Sequence, residues 1–289
     1  MKTKILKYCL VITATLLILG SFTQCNNKTE RVPGENDYKI ILLHHSTGNN
    51  VWKGNDGFLQ RMNRKFGGEF AVPKWFDEYN KTHGTDYFIQ EQTFPKSEPY
   101  GWQNYPYDYY NIWVKNAGNN PYKEEPTLEF LSQEYDFIIF KHCFPVSDII
   151  EDIGEPDINS AEKRTENYKL QYMALRNKML EFPDTKFMVW TGAAQVKNKT
   201  NPDNAKRARD FFNWVKYEWD QPNDNIYLWD FFELETEGGL YLKDENARNA
   251  NDSHLNNGFA EKVAPLFCQR IVDIIETNGK KTTLTGSAL

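Results

Sequence analysis

Cysteine and histidine are scarce in this sequence, which contains four cysteines and five histidines among 289 residues. Cys143 and Cys268 are the two cysteines beyond the N-terminal segment, and two cysteines cannot build a disulfide framework. Both lie among apolar neighbours, so we expect two buried thiols. The histidines show neither an H-x-H nor an H-E-x-x-H spacing, which argues against a metal centre.

Positive charge is also in short supply, because 34 lysines and arginines stand against 40 aspartates and glutamates, for a formal net charge of −6. Loss of an N-terminal segment that carries Lys2, Lys4 and Lys7 and no acidic residue would change this charge to −9. Such a chain lacks the overall positive field with which proteins bind nucleic acids and acidic polymers. We therefore expect no nucleic-acid partner, and we expect a monomer.

The apolar run at residues 9–20 has twelve residues and is too short to cross a membrane comfortably. With three lysines before it, this run is typical of a secretory signal peptide. Residues 20–24, which precede Cys25, resemble a bacterial lipoprotein cleavage site, in which the cysteine becomes the lipidated N-terminus. We predict a signal peptide over residues 1–25, lipidation at Cys25 and a lipid anchor in the cell envelope outside the cytoplasm. An ordinary secretory signal is the alternative.

The rest of the chain is predicted to form one domain. Residues 26–37 are polar and contain Pro33 and Gly34, as expected for a flexible tether. The remaining length suits one large α/β domain over residues 38–278 better than two small domains. Residues 279–289 are predicted to form a disordered tail.

Apolar runs alternate with segments of helical length, which is the pattern of parallel strands joined by crossover helices. Five runs are predicted to be strands covered on both faces: residues 38–43, 87–93, 136–140, 186–190 and 225–229. Helices are predicted over residues 159–182, 203–219 and 257–277, the first from the capping-box spacing of Asn159 and Glu162. We therefore predict an α/β fold, a three-layer α/β/α sandwich around a five-stranded parallel sheet.

An aromatic-rich insertion is predicted over residues 94–125, because residues 94–113 contain eight aromatic residues among prolines and a glycine that break any regular period. It follows the second predicted strand, and excursions at the carboxyl ends of parallel strands commonly build binding sites. The aromatic residues of this insertion are candidates for a sugar-binding platform, since aromatic faces cover the apolar surface of sugars. They are Tyr100, Trp102, Tyr105, Tyr107, Tyr109, Tyr110 and Trp113. Ordinary packing over the sheet is the alternative.

A serine and a histidine are predicted to reach the same edge of the sheet. Ser46 follows the first strand, and His254 lies in residues 251–256, immediately before the last helix. A serine hydroxyl becomes a good nucleophile when an adjacent imidazole takes its proton, and the imidazole needs an orienting acceptor. The structural alternative for Ser46 is a helix cap, a common position for serine.

These two segments resemble the SGNH/GDSL hydrolase family, whose first block is a strand followed by a serine-containing turn and whose last block is Asp-x-x-His before the final helix. The resemblance implies a flavodoxin-like fold, with Ser46 as the nucleophile and His254 as its base. Asn251 occupies the acid position of the family spacing, while Asp252 is the carboxylate two residues before the histidine. We predict that Asp252 orients His254, with Asn251 or a more distant acid as alternatives.

The family's oxyanion-hole blocks are a glycine after the second strand and Gly-x-Asn-Asp after the third. This chain has residues 142–148, HCFPVSD, after its third predicted strand. The resemblance implies that the backbone N–H of Ser46 is one donor. Because an oxyanion needs hydrogen-bond donors rather than one residue type, the backbone N–H of Gly101 and the hydroxyl of Ser147 are the other predicted donors. His45 and His142 join Tyr100 and Trp102 as candidates for substrate binding.

The resulting hypothesis is a cell-envelope esterase or deacetylase that acts on an acylated carbohydrate through an acyl-enzyme on Ser46, with no metal or organic cofactor. One alternative is a non-catalytic glycan-binding lipoprotein on the same fold. Another is different glycan chemistry, with His142, His45 or a tyrosine of the insertion as acid or base. A transition-metal site competes for residues at the strand ends: His44, His45, His142, Asp252 and His254.

Overall fold

The structure, a computed structural model, describes residues 31–289. The predicted signal peptide, the lipidation site Cys25 and the first residues of the predicted tether lie outside the described residues. The described residues divide into two compact units. One comprises Pro33–Gly57 and Phe70–Leu289, and the other contains Arg31, Val32 and Phe58–Glu69.

A five-stranded parallel sheet forms the centre of the larger unit. Its strands are β1 (Tyr38–His44), β2 (Tyr87–Thr93), β3 (Phe137–Phe140), β4 (Lys186–Trp190) and β5 (Ile226–Trp229). They lie in the order β2-β1-β3-β4-β5, and every neighbouring pair is parallel. This is the strand order of flavodoxin-like folds. The predicted α/β class and parallel sheet are confirmed, and the predicted strands match within one residue at each end.

Helices flank this sheet because its strands are apolar on both faces. All four residues of β3 are buried, as expected for a strand covered from both sides. The helices of the larger unit are α1 (Ser46–Lys53), α3 (Ala71–His83), α4 (Pro106–Tyr110), α5 (Leu128–Glu134), α6 (Thr165–Met179), α7 (Pro202–Trp214), α8 (Phe231–Thr236) and α9 (Asn257–Thr277), while α2 (Phe58–Lys65) belongs to the smaller unit. Helices α1, α3 and α9 pack together, and α4 packs against α6.

Shorter elements complete the larger unit. The helices α4 and α7 continue as π-helical turns over Asn111–Lys115 and Val215–Trp219, and a 3-10 turn covers Phe144–Ser147. A two-stranded antiparallel hairpin, β6 (Ala247–Asn249) and β7 (Asp252–Leu255), precedes α9. No helix among residues 31–289 is long and apolar enough to cross a membrane.

The predicted helix at residues 159–182 is shorter than expected, because α6 begins at Thr165. Oδ1 of Asn159 accepts a hydrogen bond from Nζ of Lys115 at 2.8 Å, and the Glu162 carboxylate pairs with Nε of Arg164 at 2.8 Å. The two side chains of the supposed capping box therefore have other partners, so that the prediction of a helix start at Asn159 is wrong.

The predicted disordered tail is also wrong, since residues 279–289 pack on the end of the sheet. The backbone N–H of Asp230 donates to the carbonyl of Leu284 at 2.8 Å, and Nε1 of Trp229 donates to that of Thr285 at 3.1 Å. The carboxylate of Asp273 accepts the backbone N–H of Thr282 at 2.9 Å. These bonds give hydrogen-bond partners to polar groups that are buried away from water. They hold the tail in place although it has no periodic apolar residues.

Candidate active site

Ser46 and Cys143 meet at the point where the strand order of the sheet reverses. Ser46 follows β1, Cys143 follows β3, and the two strands are neighbours, with Leu43 opposite Phe140. Ligands of open α/β sheets bind outside the carboxyl ends of the strands at such a switch point. The hydroxyl of Ser46 lies 3.5 Å from Sγ of Cys143. The candidate site is therefore built around this pair.

Ser46 is the first residue of α1 rather than the cap of a later helix. The first backbone bond of this turn runs from the N–H of Asn49 to the carbonyl of His45, at 3.2 Å. The earlier N–H groups of a helix have no acceptor within the helix, and they carry the positive end of its dipole. The backbone N–H of Ser46 thus lies where a developing negative charge would be stabilised.

Gly48 makes this tight strand-to-helix turn possible. A Cβ atom at Gly48 would lie 2.4 Å from Cβ of His44, a separation that side-chain atoms do not tolerate. His44 itself is fixed, because its Nε2 contacts Oε2 of Glu91 at 2.5 Å. The close approach of α1 to the end of β1 therefore requires a glycine at this position.

His254 and Asp252 form a pair on β7. Nδ1 of His254 lies 2.5 Å from Oδ1 of Asp252, which also accepts the backbone N–H of His254 at 3.0 Å. Burial would raise the pKa of Asp252, but these bonds and the nearby Arg248 outweigh it and lower the pKa. Asn251, the alternative partner, is exposed and accepts instead from Nδ2 of Asn198 at 3.3 Å. Asp252 is therefore the residue that contacts the imidazole.

Two consecutive residues connect Ser46 with the His254–Asp252 pair, because Cys143 contacts Ser46 and Phe144 contacts His254. The ring of Phe144 packs edge-on against His254, with 5.1 Å between ring centroids, and α1 packs against β7. Among the described residues, the hydroxyl of Ser46 has one side-chain partner, Cys143, and no hydrogen bond joins it to His254. The structure thus brings Ser46 and His254 to the same corner, with the hydroxyl turned toward the thiol.

Cys143 lies in a polar environment that its sequence context did not indicate. Burial would raise the pKa of its thiol, but the Lys141 ammonium and the Ser46 hydroxyl outweigh this effect and lower the pKa. The backbone N–H groups of Thr47 and Phe144 act in the same direction. Both cysteines of the domain are free and buried, as predicted. The adjacency of β1 and β3, which joins Cys143 to Ser46, could not be read from local sequence.

Two predicted oxyanion donors have acceptors elsewhere. The backbone N–H of Gly101 donates to the carbonyl of Ser97 at 2.5 Å. The hydroxyl of Ser147 donates to the carbonyl of Ala193 at 2.6 Å, and Ser147 is buried. A hydroxyl has one proton to donate, so neither group supplies a free donor. The structure therefore corrects the assignments of Gly101 and Ser147, and leaves the N–H of Ser46.

The predicted substrate-binding histidines differ in their access to solvent. His142 is fully buried with its ring against Tyr109, and burial, aided by Lys141, lowers the pKa of His142 to about 3. It is therefore a neutral core residue and not a substrate contact. His45 is partly exposed, its Nε2 lies 2.5 Å from the carbonyl of Pro95, and burial lowers its pKa. Within residues 31–289, no cluster of three or more His, Cys, Asp or Glu side chains could hold a metal ion.

The aromatic-rich insertion contributes more to packing than predicted. Tyr109 and Trp113 have no exposed surface, and their ring centroids lie 4.9 Å apart. Trp102 is 6% exposed, so its face is not open to a sugar, whereas Tyr100 is 41% exposed. Nζ of Lys123 lies 5.4 Å from the ring centroid of Trp102 and 5.5 Å from that of Tyr100. The structure thus contradicts the platform at the buried residues Trp102, Tyr109 and Trp113. It leaves Tyr100 exposed and Tyr105, Tyr107 and Tyr110 partly exposed.

Comparison with known proteins gives one structural likeness. No family model matches the chain, and no curated protein matches it. The fold is similar to a solved structure of a carbohydrate esterase, described as one whose active site displays divergent catalytic and non-catalytic binding functions. The TM-score is 0.38 at 10% identity, and the likeness covers 84% of this chain and 67% of that one.

Proposed function

We propose that this protein is a serine hydrolase that cleaves a carboxylic ester, with Ser46 as the nucleophile, His254 as its base and Asp252 as the residue that orients the imidazole. The contact that carries the proposal is the one between His254 and Asp252, at 2.5 Å, beside a serine at the N-terminus of a helix. Serine hydrolases on unrelated folds share this arrangement of roles.

The paired carboxylate sets the tautomer of the imidazole. The N–H at Nδ1 of His254 donates a hydrogen bond to Asp252, and this tautomer keeps the lone pair on Nε2. Nε2 accepts the Ser46 proton as Oγ attacks the ester carbonyl, and the resulting imidazolium is stabilised by the carboxylate. This step requires the Ser46 hydroxyl to leave Cys143 and turn toward His254.

The negative charge of the tetrahedral intermediate develops beside the first turn of α1. The backbone N–H of Ser46 and the positive end of the helix dipole face this position, and fixed donors of this kind stabilise an oxyanion without reorganisation. The imidazolium then returns its proton to the departing alcohol. Water attacks the acyl group on Ser46 with His254 again as base, which releases the acid and restores the hydroxyl.

The proposed substrate class is an acylated carbohydrate. The protein itself is proposed to be held outside the cytoplasm by a lipid on Cys25. The signal-like N-terminal segment supports the location, and the partly exposed Tyr100 beside Lys123 supports a polar, ring-shaped ligand. Such a substrate presents ester groups on a hydroxylated scaffold, which suits a partly exposed serine and histidine at a sheet edge.

A glycan-binding protein without catalysis is the second candidate. The observation that favours it is the contact of the Ser46 hydroxyl with Cys143, together with the engaged donors of Gly101 and Ser147. In this case the same sheet edge would bind the carbohydrate, and the Ser46 and His254 side chains would be contacts rather than catalysts.

Hydrolysis of p-nitrophenyl acetate and of acetylated polysaccharides by wild type, Ser46→Ala and His254→Ala separates the two candidates. If the protein is the proposed hydrolase, each substitution lowers kcat/KM at least about a thousandfold. Ser132→Ala and His83→Ala are matched controls, because Ser132 bonds within its own helix and His83 is exposed. Folded wild type that is inert on every ester yet binds the polysaccharide in calorimetry would favour the binding protein.

A further inference from the structure

The helix α2 exposes apolar side chains to solvent. Phe58 and Leu59 are 73% and 74% exposed, and Phe66, in the turn that follows the helix, is 81% exposed. No residue of α2 is buried. In a helix that packs on a protein core the apolar side chains are the buried ones, as Val72 and Phe76 are in α3. The apolar residues of α2 are therefore available to a partner.

The exposed apolar residues share one side of the helix. Successive residues of a helix are rotated by about 100°, so Phe58, Met62 and Phe66, spaced by four, form one row. Leu59 lies beside this row, three residues before Met62. The backbone N–H of Phe66 donates to the carbonyl of Asn63 at 2.9 Å, which continues the helical turn and keeps Phe66 next to the helix. These residues thus form a continuous apolar strip.

Positive charge borders this apolar strip. Residues 58–68 contain Arg61, Arg64 and Lys65 and no acidic residue, although the whole chain has a net charge of −6. Arg61 and Lys65 are exposed, and their spacing of four places them in a row beside the apolar one. The segment is therefore basic and amphipathic within an acidic protein.

This combination fits the surface of an anionic bilayer. Amphipathic helices with basic borders lie in the plane of the membrane interface, where their apolar face enters the boundary between headgroups and acyl chains. Their lysines and arginines reach out to the anionic headgroups, while the methylene stems of these side chains remain in apolar surroundings. Exposed apolar strips of this kind commonly mark membrane or protein contacts, and the basic border selects an anionic one.

The start of the described chain brings the predicted lipid anchor close to α2. Arg31 and Val32 are the first described residues and belong to the same compact unit as Phe58–Glu69. Arg31 follows Cys25 by six positions, which an extended chain spans in about 20 Å. A lipid on Cys25, as predicted, would therefore hold this unit within reach of a bilayer surface.

We propose that α2 and Phe66 form a membrane-docking surface for a bilayer that contains anionic phospholipid. Phe58, Leu59 and Phe66 enter the interface, and Arg61 and Lys65 bind the phosphates of the headgroups. The helix is a second attachment beside the predicted lipid anchor, and two linked attachments hold a protein more firmly than either alone. This surface does not depend on the proposed hydrolysis of esters.

The test places a nitrobenzoxadiazole dye, whose fluorescence reports the polarity around it, on the folded full-length chain at Phe66→Cys. Tyr217→Cys is the matched control, because Tyr217 is also an exposed aromatic residue, at 75%, and lies outside the basic segment. Unmodified wild type, in which Cys143 and Cys268 are buried, gives the background labelling. The labelled proteins are mixed with vesicles of phosphatidylcholine, with or without phosphatidylglycerol, whose brominated acyl chains quench a dye that enters the bilayer.

On vesicles with phosphatidylglycerol, the emission of the dye at position 66 should shift to shorter wavelength. Bromine should quench this dye at least about fivefold more than the dye at position 217. Arg61→Glu together with Lys65→Glu should abolish the difference, because the reversed charges repel the anionic surface. Lys197→Glu together with Lys199→Glu changes the net charge equally at two other exposed lysines and should leave the quenching at position 66 unchanged.

Three results would overturn the proposal. The first is equal quenching at positions 66 and 217, and the second is equal quenching at position 66 with and without phosphatidylglycerol. The third is a shift to shorter wavelength without vesicles as the protein concentration rises, which would assign this surface to a second copy of the chain. Because the readout does not include ester hydrolysis, an inert protein whose α2 enters the bilayer would contradict the hydrolase and leave the membrane-docking surface standing.

Discussion

Nδ1 of His254 lies 2.5 Å from Oδ1 of Asp252, and the same oxygen accepts the backbone N–H of His254. Two bonds to one oxygen fix the carboxylate relative to both the ring and the backbone of β7. A pair that is two residues apart in one strand keeps this geometry without help from distant elements. The orienting acid of the proposed base is thus encoded locally, one position away from the Asp-x-x-His spacing.

Asp252→Asn should lower kcat/KM for p-nitrophenyl acetate by about a hundredfold or more, because an amide favours the wrong imidazole tautomer. Asn251→Asp is the matched change at the neighbouring position and should leave activity within about twofold, since Asn251 contacts Asn198 and not the imidazole. Equal losses in the two variants would show that Asp252 does not have the proposed role.

Gly48→Ala should destabilise the fold by about 1–3 kcal/mol, because the new methyl group meets Cβ of His44. Urea unfolding measures the loss. Gly258→Ala in the first turn of α9 is the control, since its nearest neighbour would be Oδ1 of Asn256 at 3.6 Å, an ordinary contact. A Gly48→Ala protein as stable as the control would mean that the turn at Ser46 can accommodate a methyl group at position 48.

The stability of the folded protein is expected to depend on pH because of Asp220. Burial, and then repulsion from Asp224, raise the pKa of Asp220 to about 7 against the opposing charges of Arg270 and Arg176. The folded state thus binds this proton more tightly than the unfolded state. The contribution of Asp220 to folding stability is therefore complete below about pH 4 and is lost as pH rises through about 7.

Asp220→Asn should therefore be less sensitive to pH than wild type and gain stability relative to it between pH 5 and pH 8. Urea midpoints at the two pH values measure this difference. Asp210→Asn, at an exposed carboxylate paired with Lys206, should follow the wild-type profile. Parallel profiles for wild type and Asp220→Asn would contradict the raised pKa.

Deletion of residues 282–289 should lower stability by about 2–4 kcal/mol, because it removes the acceptors of Asp230 N–H and Trp229 Nε1 and leaves both donors unpaired. Thermal unfolding tests this effect. Removal of Leu289 alone, which is 81% exposed, should leave Tm nearly unchanged. If both truncated proteins melt at the wild-type temperature, the tail does not stabilise the sheet.

The sequence predicted the parts of this structure that depend on local pattern. Apolar runs such as Lys186–Trp190 form strands that are covered on both faces. Ser46 lies at the sheet edge because it follows the end of one such strand, Tyr38–His44. The last helix, Asn257–Thr277, has the predicted bounds because its apolar face is continuous and Asn256 caps it, with 2.9 Å to the N–H of Phe259.

The remaining features depend on contacts between distant segments. Cys143 becomes a neighbour of Ser46 because β3 pairs with β1, a choice of strand order that local sequence does not specify. Ser147 donates to Ala193, which lies 46 positions away in the chain, and this takes it out of the predicted oxyanion hole. In the same way, Trp102 is covered within its own insertion, which a count of aromatic residues does not reveal.

Chemical capture of the nucleophile tests most directly whether His254 activates Ser46. A fluorophosphonate is allowed to react with folded wild type, His254→Ala and the control His83→Ala, and mass spectrometry locates and times the adduct. The proposed hydrolase predicts one adduct, on Ser46, formed at similar rates in wild type and His83→Ala and at least about a hundredfold more slowly in His254→Ala. An adduct elsewhere, or one on Ser46 that forms equally fast without the His254 imidazole, would contradict activation of Ser46 by His254.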